Sequence, residues 1–233
     1  MIEGFHLHST RQSEITNIAA ASAVPSRGQG FASRLVAGIL LLLVIVAGIW
    51  FERAPLLRGA ADLWIVSDPL TPADVVAVLG GGLNERPFAA ADLYKARLAN
   101  KIIVSQAVQE RYTKLGLPGH TELNHLVLLK LGVPEAALGT FGQENASTDE
   151  EAVALRAWAA EHRVSRIIIP AEIFFTRRVG WIFNREFAGS AVHLEIAAFE
   201  PSKYTRAEWW KSERGTIDFQ NEFMKFLYYR FKF

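Results

Sequence analysis

Three short stretches bring together residue types that bind anions or move protons. The first is Leu79-Gly80-Gly81-Gly82-Leu83-Asn84-Glu85-Arg86. Consecutive glycines let the backbone turn sharply and approach a ligand, and a helix starting just after them offers unpartnered N–H groups to an anion. Arg86, at that helix start, is placed to clamp a phosphate or carboxylate. A cation there is electrostatically unfavourable for the helix, so removing Arg86 is expected to cost function and leave the fold intact. The competing reading is a tight turn followed by a solvated arginine. The spacing matches neither the dinucleotide fingerprint nor a Walker loop. The second stretch is Glu144-Asn145-Ala146-Ser147-Thr148-Asp149-Glu150-Glu151. Thr148 and Glu151 have the spacing of a helix capping box, which accounts for both, and Thr148→Ala is expected to cost about 1 kcal/mol. Glu144 and Glu150 are left over, and a carboxylate buried beside a ligand serves as acid or base. The third stretch, Pro170 to Arg178, carries Glu172 and Arg178 beyond an apolar run; its competing reading is a solvated first helical turn. Ser105 is similarly placed, yet no histidine follows at a motif spacing, so a serine nucleophile is unsupported. His120 and His125, five apart, do not share a helix face, and no histidine falls in a metal-ligand pattern.

These groups need a scaffold that carries them to one edge. Residues 73–79 form a near-continuous apolar run, as a parallel strand buried on both faces requires. Pro87 suits a first helical position, and apolar spacing predicts a helix over 88–98. Further strands are expected at 101–105, 138–141, 166–170 and 192–199. Helices are expected at 121–131, 149–162, 177–187 and 217–229. This alternation predicts an α/β, Rossmann-like parallel sheet with helices on both faces and ligand chemistry beyond the carboxyl ends of its strands. The aromatics from Trp209 to Tyr229, interleaved with Lys225, Arg230 and Lys232, fit either a core or a membrane-surface helix.

Composition narrows the partners. Lys plus Arg number 25 against 24 Asp plus Glu, a net charge of +1 with no basic stripe, which argues against nucleic-acid binding. The hydrophobic fraction of 50% is too high for a disordered chain, and the absence of cysteine excludes disulfides, thiol catalysis and thiolate metal sites. From Leu35 to Phe51 no charge interrupts LVAGILLLLVIVAGIWF. At about 1.5 Å per residue this run spans roughly 25 Å, enough for a bilayer core with Arg34 and Arg53 snorkelling. A cleaved signal peptide would have a shorter apolar run ending in small residues; this one ends in Ile49-Trp50-Phe51. Arg11, Arg27 and Arg34 precede it and Arg53 and Arg58 follow, a bias toward an inside N-terminus. The expected organisation is a disordered cytoplasmic tail at 1–34, a transmembrane anchor at 35–51 and a globular domain at 62–233.

The globular part resembles the bacterial YdcF-like family, a domain of unknown function that includes the SanA and ElyC envelope proteins. The resemblance covers roughly residues 74–231. It rests on Asp74-Val75-Val76-Ala77-Val78-Leu79-Gly80-Gly81-Gly82, on Arg86 with Ala90, Leu93 and Tyr94, and on Ile102-Ile103-Val104-Ser105. Gly132-Val133-Pro134 and Thr148-x-Glu150-Glu151-Ala152 complete it. The chain departs from the family in having Ser105-Gln106-Ala107 in place of Ser-Gly-Gly. It also has Phe174-Phe175 in place of a Tyr-His pair, although Arg178 matches the arginine four residues after that tyrosine. The resemblance implies a role in peptidoglycan or envelope-polysaccharide biogenesis; with the apolar span and its arginine bias, the expected protein is single-pass in the inner membrane with its domain on the periplasmic side. Its expected partners are the lipid bilayer, a small anionic ligand such as a lipid-linked precursor, and envelope proteins. Gly80, Gly81, Gly82, Arg86, Ser105, Thr148 and Arg178 would bind the ligand, and Glu150 or Glu172 would act as base in a hydrolysis or transfer at a phosphate or carboxyl group. No cofactor is assigned. The rival readings are a non-catalytic scaffold that recruits envelope partners and, from the fold alone, a nucleotide-cofactor protein.

Overall fold

The computed structural model describes residues 27–233, and the chain divides into two compact units at Glu52/Arg53. Helix α1 (Arg27–Phe51) belongs to the first. Within it Ser33–Phe51, with mean hydropathy 2.5, is long and apolar enough to cross a membrane. Of the tail expected at 1–34, residues 1–26 lie outside the described residues, and the helix already begins at Arg27.

The second unit opens with α2 (Arg53–Trp64), a helix that the sequence pattern did not predict. It is short and begins before the expected domain start at residue 62. Its inner side, Leu57, Ala61 and Trp64, packs on Ile173, Phe174, Tyr204 and Trp209. Tertiary packing of a few large side chains therefore holds it, where helix propensity alone would be marginal at this length.

Next come β1 (Val75–Val78), α3 (Arg86–Lys95), β2 (Ile102–Ala107) and α4 (His120–Lys130). They are followed by β3 (Leu138–Asn145), α5 (Thr148–His162), β4 (Arg166–Glu172), α6 (Thr176–Glu186), β5 (His193–Phe199) and α7 (Glu213–Lys232). All strand pairings are parallel, and the sheet order is β3-β2-β1-β4-β5. Val75 and Ala77 face α5 and α6, while Val76 and Val78 face α3 and α4, so all four β1 residues are buried. Each fully buried isoleucine of β2 and β4 contributes about 1.5–3 kcal/mol relative to exposure. This is a doubly wound, Rossmann-like α/β fold. The strand order reverses between β1 and β4, which opens a crevice at their carboxyl ends.

Below the sheet's other end, Ser165 and Arg166 donate backbone N–H groups to Asp74. The Ser165 and Arg166 bonds hold the Asp74 carboxyl below its ordinary pKa. The bond thus ties the entry of β4 to β1, on the side away from the crevice.

Candidate functional site

The crevice is a cleft of about 1200 Å³, lined by the Gly80–Gly82 loop, the start of α5, the β4–α6 turn and one side of α7. Two of the loop's N–H groups are already bonded within the fold. Gly80 donates to Glu151 Oε1 at 2.5 Å, and Gly81 donates to His120 Nε2 at 2.9 Å. Gly81 and Gly82 have φ of 81° and 59°, the left-handed region that glycine adopts without a Cβ penalty. At Gly82 space matters as well: a Cβ would lie 2.5 Å from Glu172 Oε1 and 2.7 Å from Arg86 Nε.

Arg86 is not solvated, and it engages the loop directly. Its Nε donates to both oxygens of Glu172, at 2.9 and 3.1 Å, and its Nη1 donates to the carbonyl oxygens of Gly80 and Leu79. Of the donors that the sequence reading offered to a phosphate or carboxylate, Nε and Nη1 are thus bonded to the Glu172 carboxylate and to chain carbonyls. Arg178 is held similarly, with Nε and Nη2 bonded to Glu222 at 2.7 and 3.0 Å and Nη1 to Thr148 Oγ1 at 2.7 Å. Both guanidinium groups lie over the Phe175 ring, at 4.2 and 4.5 Å from its centroid. The phenylalanine that stands where the family resemblance led us to expect a proton-transfer residue is thus a cation–π platform.

The capping of α5 also differs from the sequence reading, by one residue. Ser147 is the N-cap: its Oγ accepts from the Glu150 N–H, and the Glu150 carboxylate accepts from the Ala146 N–H at 2.6 Å. Glu150, expected as a base, is exposed, engaged in this cap, and not among the cleft residues. Thr148 is not a cap; it lines the cleft and accepts from Arg178. Glu151, one position and about 100° further round the helix, is the carboxylate that reaches the cleft. Burial pushes its carboxyl up, against the Gly80 N–H, the Ser105 hydroxyl and the charges of Arg86 and Arg178, which pull it down. Ser105 is fully buried, accepts from Asn145 Nδ2 at 3.1 Å and does not line the cleft. Ser147→Ala, and not Thr148→Ala, is therefore the cap deletion. We expect it to lower stability by about 1 kcal/mol in a urea titration.

Helix α7 supplies the wall that sequence reasoning missed. Asp218, Asn221, Glu222, Lys225 and Tyr229 face the cleft. Their spacing of three and four is a polar stripe at helical period, a signal present in the sequence. Tyr204 donates to Asp218 at 3.2 Å; burial first, then the charge of Asp218, raises its phenol far above the ordinary range, so it remains a donor. Ser202 bonds the Glu85 carboxylate through its N–H and hydroxyl, at 3.1 and 2.7 Å, pinning the β5–α7 connection to the start of α3. Arg86, Arg178 and Arg214 are each matched by a carboxylate, whereas Lys203 lines the cleft with no ion-pair partner among the described residues. Beside the same space lies the N-terminal turn of α5, with the partial positive charge of a helix start; its Glu150 N–H is capped by Ser147.

Of the residues expected to bind a ligand, Gly80, Gly81, Gly82, Arg86, Thr148 and Arg178 meet in the cleft, and so does Glu172. Fold and site together define a doubly wound α/β protein with a polar cleft at the switch point of its sheet. Compared with known proteins, the chain matches no protein-family model and no curated protein.

Proposed function

We propose that this chain is a membrane-anchored, YdcF-like protein of the cell envelope that holds a small anionic ligand in the cleft between β1 and β4. The observation that carries the reading is that Lys203, a cleft cation without a carboxylate partner among the described residues, and the N-terminal turn of α5 line the same cleft. The phosphate or carboxylate of the ligand would take those donors, with the paired Arg86 and Arg178 setting the field around it. In a hydrolysis or transfer at that anion, Glu151, whose carboxyl burial pushes up, is the group placed to donate a proton, and Glu172, beside Gly82, is the second carboxylate at the loop. One observation favours a non-catalytic partner-holding module instead: Phe174 and Phe175 cannot transfer a proton, and Phe175 serves to seat two guanidinium groups.

Native mass spectrometry of the full chain extracted from its membrane tests the ligand. A co-purifying phosphate- or carboxylate-bearing molecule is expected, with occupancy reduced about tenfold or more in Lys203→Ala, as for the loss of one charged hydrogen bond. A chain that carries no such molecule sinks the reading. Topology has its own test. A reporter active only outside the cytoplasm, fused after Phe233, should be active and its cytoplasm-only counterpart silent; the reverse pattern would place the domain in the cytoplasm.

A further inference from the structure

Helix α7 has three faces. Phe219, Phe223 and Phe226 pack on Trp64, and the polar stripe faces the cleft. The third face, Ile217, Met224, Tyr228 and Phe231, repeats at intervals of seven, four and three residues and so forms one line along the helix. It stays open, with exposures of 43%, 59%, 60% and 87%. Apolar residues in a line on an otherwise well-packed unit mark a contact surface. Charge identifies what covers it. Beyond Glu222 the helix carries no side-chain carboxylate; Lys225, within 3.3 Å of Glu222, and Lys232 flank the stripe, while Arg230 turns the other way, over the Trp181 ring. Aromatic and apolar side chains flanked by cations suit the boundary between anionic headgroups and acyl chains. Such a surface is also within reach, because only Glu52 separates α1 from α2 in the chain.

We propose that this face of α7 lies on the surface of an anionic lipid bilayer, with Met224, Tyr228 and Phe231 in the headgroup region and Lys225 and Lys232 over lipid phosphates. The inference rests on the anchoring reading above. It has a consequence for the cleft. Lys225 and Tyr228 line the cleft as well as flanking or forming the stripe, so the cleft opens at the lipid surface. A membrane-bound amphiphile can then place its anionic head in the cleft while its chain stays in the bilayer.

The chain has no cysteine, so one introduced residue gives one label. Full-length Phe231→Cys, Met224→Cys and Lys130→Cys chains, each carrying an environment-sensitive dye, would be reconstituted into vesicles with and without phosphatidylglycerol. Lys130, exposed on α4 of the opposite sheet face, is the reference. Shallow nitroxide-labelled lipids should quench the 231 and 224 dyes roughly threefold more than the 130 dye in phosphatidylglycerol vesicles, as expected of an interfacial helix face. The excess should fall toward the reference in phosphatidylcholine alone and when Lys225→Glu and Lys232→Glu are added. Two positions guard against one label disturbing the helix. Equal quenching at all three positions in chains that float with the vesicles overturns this inference alone. Self-quenching of the 231 dye that grows with protein density, without lipid quenching, overturns it in favour of a second copy of the chain. Chains that do not float with vesicles overturn the anchoring reading, and this inference with it.

Discussion

Replacing Arg86 by alanine is expected to destabilise the Arg53–Phe233 unit by about 3–5 kcal/mol, the range for breaking a buried ion pair from one side. The side chains of Arg86 and Glu172 are 9% and 16% exposed, so solvent can do little to rescue the abandoned carboxylate. The variant also strips donors from the Gly80 and Leu79 carbonyl oxygens and a cation from the Phe175 ring. Against a total domain stability of about 5–15 kcal/mol, that loss brings the unit near unfolding at ordinary temperature. Arg86→Ala combined with Glu172→Ala should be less damaging than the two single losses summed, because the pair is removed together. Urea titration of the four proteins measures the coupling. An Arg86→Ala chain that unfolds like wild type but no longer carries its anion would return the guanidinium to the ligand, as the position of Arg86 at a helix start suggests when the sequence is read alone.

Glu151→Gln is expected to stabilise the unit at neutral pH and to flatten its stability–pH curve on the alkaline side of the carboxylate range. Burial raises the folded-state pKa of Glu151 above its unfolded value. Below the unfolded pKa both states hold the proton and nothing is lost. As pH rises toward the folded pKa, the unfolded state releases the proton first, and the folded state loses about 1.4 kcal/mol for each unit of the shift. Glutamine has no proton to lose, and its carbonyl oxygen can still accept from the Gly80 N–H. The difference in urea midpoint between the two proteins should therefore grow from about pH 4 upward and then level off. A difference that shrinks as pH rises would mean that Arg86 and Arg178 outweigh burial and lower the carboxyl, and one that is the same at every pH that the two balance.

Much of the scaffold was legible because its signals are local. The run Val75 to Val78 is apolar at every position since both of its faces are covered, and it was read as a buried parallel strand on that basis. Pro87 marked the start of α3 and Gly132 the exit of α4. Helix α2 escaped notice because its stabilising partners, Phe174, Tyr204 and Trp209, lie more than a hundred residues away in the chain. The cap of α5 was placed one residue late for a related reason. Thr148-x-x-Glu151 and Ser147-x-x-Glu150 both fit the spacing, and only burial of Glu151 against the Gly80 N–H separates them.

The sequence by itself determined the α/β class, the order of strands and helices from β1 to α7, the apolar helix before the domain and the gathering of Gly80–Gly82, Arg86, Glu172 and Arg178 at one edge. Periodicity and the rule that parallel strands direct their carboxyl ends to one side suffice for that. Tertiary structure decided which charges meet. Arg86 pairs with Glu172 across 86 residues and Arg178 with Glu222 across 44, contacts that no local spacing encodes. It also decided that Glu151 and not Glu150 faces the cleft, that His120 reaches the glycine loop, and that α7 closes the site. The physical reason is common to all of these. Secondary structure follows from backbone hydrogen bonds and burial pattern within a few residues, whereas the state of an ionisable group depends on desolvation and on partners that only the packed chain brings within about 4 Å.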